Sequence, residues 1–177
     1  HVGILKSCGA SLMVTIPEAK PIAWLLRAQV ESLRAVMVPA DFSADPSFVP
    51  VKSSSGQTGF LQYTSGSTGQ PKGAVLTHAN LLANVRAMGK AARATPGDVF
   101  VSWLPLYHDM GLIGGCFATM YWSFPVVLMS PLAFLARPSQ WLRAIHRHRG
   151  TISGGPNFSY ELCLRRIPEH ELEGLDL

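Results

Sequence analysis

Long hydrophobic runs are missing from this chain. No apolar stretch approaches the roughly 20 residues that a membrane-spanning helix needs, and the most apolar segments are broken by Gly114, Gly115, Pro125 and Pro131. No membrane span is expected. Charge is also sparse, at 15% of 177 residues against 47% hydrophobic, which excludes a disordered chain and fits a folded domain with a real core. Cysteine is scarce: Cys8, Cys116 and Cys163 lie far apart without C-x-x-C spacing, so disulfide and cysteine–metal chemistry are not expected and each reads as a small buried hydrophobe. No charged-then-apolar targeting segment opens the sequence, which points to the cytoplasm. Fifteen Lys and Arg against eleven Asp and Glu leave a formal net charge of +4, a mild bias toward anionic ligands or an acidic partner. The cluster Arg143, His146, Arg147, His148 and Arg149 has no aromatic-rich recognition motif beside it. It reads as a solvated helix face, and no nucleic-acid partner is expected.

What the chain does have is concentrated between residues 63 and 73, Tyr-Thr-Ser-Gly-Ser-Thr-Gly-Gln-Pro-Lys-Gly. Gly66 and Gly69 permit left-handed backbone and close approach to a ligand, so successive N–H groups can turn inward on an anion. Thr64, Ser65, Ser67 and Thr68 add hydroxyl donors, and Lys72 adds a mobile positive charge. The P-loop pattern G-x-x-x-x-G-K-[ST] does not fit, because Pro71 and Gly73 occupy its second glycine and its hydroxyl. A plain Ser/Gly linker is the alternative, but residues 60–63 and 74–77 read as strands that fix both ends. The expectation is a phosphate-binding loop.

Around it the chain alternates strands and helices. A strand over 11–16, a helix after Pro17 with Ile22, Leu26, Val30 and Leu33 at helical spacing, and a strand over 34–38 suggest a parallel pair covered by helices. Residues 39–57, rich in proline and serine, read as a surface linker. A helix over 78–92 follows the loop, with Thr77 or Asn80 near its start and Leu81, Leu82, Val85 and Met88 on its apolar face. Then come a strand over 99–103, a glycine-rich helix over 109–121, a strand over 126–129, a helix over 139–148, a strand over 151–153 and a helix over 157–166. Gly111, Gly114 and Gly115 each cost that glycine-rich helix about 1 kcal/mol against alanine. Either an acyl chain or a neighbouring helix passing close by would explain them. The predicted class is α/β, a parallel or mixed sheet layered with helices.

The segment 63–78 resembles the signature of the acyl-adenylate-forming superfamily. Two further stretches, Trp-Leu-Pro-Leu-Tyr-His-Asp-Met-Gly-Leu over 103–112 and Gly-Gly-Pro-Asn-Phe-Ser-Tyr-Glu-Leu-Cys over 154–163, resemble the fatty acyl-AMP ligase branch. The resemblance implies part of the large N-terminal domain of an AMP-forming ligase, with a strand-helix-strand subregion and linker over 1–57 and a phosphate-loop and acyl-site subregion over 58–177. It implies ATP-dependent activation of a fatty acid to acyl-adenylate with release of pyrophosphate, then transfer to an acyl carrier protein or a polyketide synthase carrier domain. Thr64, Ser65, Gly66, Ser67, Thr68, Gly69 and Lys72 would hold the nucleotide phosphates. Lys72 and His108 would serve catalysis, and His108, Gly154, Gly155 and Phe158 would border the acyl substrate.

Read from the residues alone, His108 is a lone histidine at a strand-to-helix junction, where α/β proteins place ligand contacts. Asp109 and Asn157 read as helix caps. Metal ligands are not expected in this chain. The resemblance places the magnesium glutamate, the ribose-binding aspartate, the adenine-holding segment and a catalytic lysine beyond Leu177, so the chain alone is expected to be inactive. Alternatives are a long-chain acyl-CoA synthetase and a non-catalytic ligase module that kept the loop.

Overall fold

The computed structural model describes residues 2–42, 47, 49–64 and 71–177. The chain divides into two compact units, His1–Asn80 and Leu81–Leu177.

In the first unit, α1 (Val2–Ser7) leads to β1 (Leu12–Val14), α2 (Lys20–Arg27) and β2 (Ala35–Met37). β1 and β2 pair in parallel, Leu12 opposite Ala35 and Val14 opposite Met37, the strand-helix-strand unit that the sequence predicts. The helix is shorter than its apolar spacing suggests. It stops at Arg27, and Val30 and Leu33 are buried from the turn that follows, with Ala23 and Val36. Ile22 instead stands exposed. A period of 3.6 cannot tell helix from a turn that happens to return its apolar residues to the same core.

Beyond the segment after residue 39, β3 (Thr58–Thr64) and β4 (Lys72–Thr77) form an antiparallel hairpin. A register shift falls between Thr58 and Phe60. There Gly59 leaves room for the His78 ring, which a Cβ would meet at 3.0 Å. β4 runs straight into α3 (His78–Ala92) through a reciprocal cap: the Thr77 N–H donates to Asn80 Oδ1 at 3.0 Å and the Asn80 N–H to Thr77 Oγ1 at 3.2 Å. Both residues expected at this helix start therefore act.

The second unit holds a three-stranded parallel sheet in the order β6–β5–β7, with β5 (Phe100–Ser102), β6 (Val126–Leu128) and β7 (Ile152–Ser153). Phe100 lies opposite Val126 on one side and Ile152 on the other. Helices α4 (Ala118–Trp122), α5 (Pro131–Ala136), α6 (Ser139–His148) and α7 (Asn157–Arg166) connect and cover the strands. The α5 turn was not predicted. Ser130 caps it, accepting from the Leu132 N–H at 3.2 Å, and Pro131 occupies its first position, so the Ser-Pro signal was present in the sequence.

The expected helix over 109–121 begins as a π-helical stretch, Met110–Phe117, before α4. Asn157 does not cap α7; Pro156 holds that position, and Asn157 is the first helical residue. The core of this unit is aromatic. Trp103, Phe134 and Trp141 are buried with Val101 and Leu104, Trp103 stacking on Phe134 at 4.1 Å between ring centroids and meeting Trp141 edge-on at 6.1 Å. Such pairs add roughly 0.5–1.5 kcal/mol each beyond the area they bury.

Candidate active site

The phosphate-loop residues divide sharply. Ser65, Gly66, Ser67, Thr68 and Gly69 lie outside the described residues. Thr64 and Lys72 do not: they face each other as the last pair of the hairpin ladder, both exposed. The ladder therefore fixes the two ends of the loop at one rung, with a hydroxyl on one strand and an ammonium on the other. Among the described residues Lys72 makes no ion pair. Just inside that rung, Gly73 accommodates the Tyr63 ring, whose edge would meet a Cβ at 2.9 Å. The Tyr63 hydroxyl donates to Ser7 Oγ at 3.0 Å. Tyr63 thus ties the loop end of the hairpin to the end of α1, and Gly73 makes room for its ring.

In the second unit, the strand order decides the geometry. β5 and β7 are parallel neighbours, so their carboxyl ends open on the same edge of the sheet, where α/β folds place ligands. The chain leaving β5 supplies Trp103 to Met110, and the chain leaving β7 supplies Gly154 to Phe158. They meet around a hollow of about 330 Å³ lined by Trp103, Leu104, Pro105, His108, Met110, Pro156 and Phe158. Two of the predicted substrate residues, His108 and Phe158, are walls of it. Gly154 and Gly155 lead into it without lining it. A Cβ on Gly155 would lie 2.6 Å from Ser159 Oγ and 3.0 Å from the Trp103 ring, so this glycine clears space for the aromatic wall.

Trp103, Met110 and Pro156 were not singled out as site residues. Trp103 and Pro156 belong to the two motifs, and their role follows only from the pairing of β5 with β7. The indole N–H of Trp103 is buried and has no acceptor among the described residues. Most buried donors are paired, and this one stands in the wall of the hollow. Phe158 crosses Trp103 edge-on at 5.9 Å and is half exposed, which gives the hollow one buried wall and one solvent-facing wall.

His108 Nδ1 lies 2.7 Å from Asp109 Oδ1. Asp109 also accepts from the Met110 N–H at 2.7 Å, so it combines the helix-start role expected of it with a contact that orients the imidazole. The Met110 N–H also points at Nδ1, at 3.4 Å; in the tautomer that donates from Nδ1 to the carboxylate, Nε2 is left for a ligand. The pair is largely exposed, so it adds little to stability.

The sheet edge is held by polar pins. The Trp141 indole donates to Ser153 Oγ at 2.8 Å, and that hydroxyl donates to the Val101 carbonyl at 2.6 Å, joining β7 to β5. At the opposite end, Thr151 Oγ1 donates to Asp98 at 2.7 Å and accepts from the Val99 N–H at 3.0 Å. The Thr151 hydroxyl, and then the Thr95 backbone, hold the Asp98 carboxyl below its ordinary value. Glu171 is likewise held low by the Ser139 hydroxyl and by Arg137. Burial pushes the Cys163 thiol up, away from nucleophilic chemistry. A larger hollow, about 540 Å³ between α6 and Leu175, is lined by Arg143, His146, Arg147 and His148 and contains no motif residue. No group of three or more His, Cys, Asp or Glu suited to a metal ion occurs among the described residues. No helix among them is long and apolar enough to cross a membrane.

The profile of the AMP-binding enzyme family matches residues 2–176. The chain is similar to medium-chain fatty acid acyl-carrier-protein ligase TtuA of Teredinibacter turnerae, with 48% identity over 118 residues, 67% of this chain and 18% of that protein. It is 38% identical over 175 residues to 4-hydroxyphenylalkanoate adenylyltransferase of Mycobacterium tuberculosis, covering 95% of this chain and 28% of that protein. Among solved structures, a chain from studies of fatty acyl-adenylate ligases from E. coli and L. pneumophila matches with a TM-score of 0.90 and 37% identity, covering 99% of this chain and 32% of that one. The L. pneumophila fatty acyl-adenylate ligase in complex with acyl adenylate and pyrophosphate matches with a TM-score of 0.82 and 34% identity, covering 99% of this chain and 31% of that one. The chain thus spans about a fifth to a third of the length of these relatives.

Proposed function

Because this chain belongs to the AMP-binding enzyme family, we propose that the whole protein activates a fatty acid with ATP and magnesium, forming acyl-adenylate and releasing pyrophosphate. The observation that carries this reading is the joining of two motif segments at one sheet edge, where His108 and Phe158 line an otherwise apolar hollow. Similarity to ligases named for fatty acids and carrier proteins supports it.

In this reaction a carboxylate oxygen attacks the α-phosphorus of ATP and the bond to the bridging oxygen breaks, so the protein must align two anions and stabilise the charge that leaves. Lys72 and the Thr64 hydroxyl, held at the rung that closes the hairpin, suit the departing pyrophosphate, together with Ser65, Gly66, Ser67, Thr68 and Gly69. His108, oriented by Asp109, meets the substrate carboxylate through Nε2, while the apolar walls exclude water from the new anhydride. Among the described residues no group of three or more His, Cys, Asp or Glu would hold that magnesium. The activated acyl group passes to the thiol of an acyl carrier protein or a polyketide synthase carrier domain, in the cytoplasm where ATP is available.

The test is fatty-acid-dependent formation of pyrophosphate and acyl-AMP by the full-length protein, followed by acylation of a phosphopantetheinylated carrier protein. Failure of every fatty acid tested to support adenylate formation would overturn the reading. Acyl-CoA formed as fast as acylated carrier would replace the acceptor and leave the adenylation step intact.

A further inference from the structure

Three hollows in the second unit follow one another along a single stripe of the helical segment from Met110 to Trp122. The first is the one at His108 and Phe158. The second, about 350 Å³, shares Met110 with it and continues over Ile113 and Gly114 to Met88, with Asn84 and Asp109 as its polar members. The third, about 140 Å³, shares Met88 and Gly114 with the second and reaches Trp122 and Phe124. Met110, Gly114, Ala118 and Trp122 recur at intervals of four, which places them on one face. Trp122 is a fixed end: its indole donates to the Val85 carbonyl at 3.2 Å, and its ring fills the space where Gly89 would carry a Cβ.

The three glycines of this segment differ in why they are glycine. A side chain on Gly111 would strike the Pro105 carbonyl, and one on Gly115 would touch Phe100 and Ser102 at ordinary distances. At Gly114 nothing outside its own helical backbone lies within 4 Å of the Cβ position. A helical glycine there costs roughly 0.5–1 kcal/mol against alanine, and no neighbour among the described residues requires it. The open position is the wall shared by the second and third hollows.

We propose that Gly114 sets the length of acyl chain the protein accepts. The chain enters between His108 and Phe158, passes over Met110, crosses the gap at Gly114 and Met88, and ends against Trp122. This rests on the fatty-acid reading above and adds to it a residue that selects among fatty acids. The experiment measures binding of hexanoate, dodecanoate and hexadecanoate to the full-length protein and to its Gly114→Leu and Met88→Phe variants, with melting temperatures alongside. Each buried methylene is worth about fourfold in affinity. Gly114→Leu is therefore expected to weaken hexadecanoate binding about tenfold or more, to change hexanoate binding by less than about twofold, and to leave the melting temperature no lower. Met88→Phe narrows the same gap from α3 and is expected to act in the same direction, so a folding defect in one variant does not decide the matter. An unchanged length profile in both folded variants, or an equal loss at every length, overturns the role of Gly114 while the fatty-acid reading stands. No binding of any of the three acids by the unaltered protein overturns both.

Discussion

The β3–β4 hairpin and the sheet-edge hollow are built in opposite ways. At the hairpin, the groups that bear on chemistry, Thr64 and Lys72, are exposed and held only by the strand ladder beneath them. At the hollow, Trp103 is buried in a stacked aromatic core and also forms part of the wall. A charged loop works by donors whose positions the backbone sets, so its residues can be lost without loss of fold. An apolar pocket is made by packing, so its walls cannot be removed without disturbing what they rest on.

The largest effect should come from the packed region. Trp103→Ala removes the ring that stacks on Phe134 and abuts Trp141 and Phe158, and should destabilise the second unit by about 3–5 kcal/mol. Chemical denaturation with hydrogen exchange would locate that loss in β5, β7 and α6, with the β3–β4 hairpin protected as before. Equal loss of protection in the hairpin would break the contrast between the regions.

Lys72→Ala should show the reverse. In the full-length protein it is expected to lower the rate of pyrophosphate formation about 10²-fold, the scale of one preorganised donor, with the melting temperature and fatty-acid binding unchanged. A rate that does not move would take Lys72 out of the site. Gly155→Ala tests the boundary between packing and ligand contact. Its Cβ would press on Ser159 and Trp103, a strain of about 1–3 kcal/mol. If the melting temperature holds and only substrate affinity falls, Gly155 acts on the ligand directly.

The smallest effect concerns pH. The Asp98 and Glu171 carboxyls are held below their ordinary values by hydroxyl and arginine partners. A carboxylate with a lowered folded-state value adds stability at pH above its ordinary value, and that stability is lost as pH falls through the lower one. The melting temperature of the second unit should therefore decline below about pH 4, and Asp98→Asn should flatten part of that decline. An identical slope in the variant would show that the Thr95 and Thr151 contacts contribute nothing through charge.

Legibility followed the range of the interactions. The hairpin strands, the reciprocal cap of Thr77 and Asn80, and the succession of strands and helices were written in short stretches, because turn, cap and pattern signals act over a few residues. The π-helical stretch was not legible. Its glycines imply only a permissive backbone, while the widened winding accompanies a close approach of Gly111, which leaves no room for a Cβ, to the carbonyl of Pro105 in the loop after β5. The truncated α2 and the exposed Ile22 show the same limit. Apolar spacing marks which residues seek a core but not which of them reach it.

The sequence by itself determined the chemical inventory of this protein: a hydroxyl and glycine loop closing on Lys72, a histidine and aspartate after a strand, and a glycine pair before a helix. Tertiary structure decided which of these share a site. Parallel pairing of β5 and β7 brings Trp103, His108 and Phe158 around one hollow, though the two segments are far apart in the chain, and it turns Gly155 into a packing residue. Strand order depends on where every apolar face is buried at once, and no local stretch of sequence carries that information.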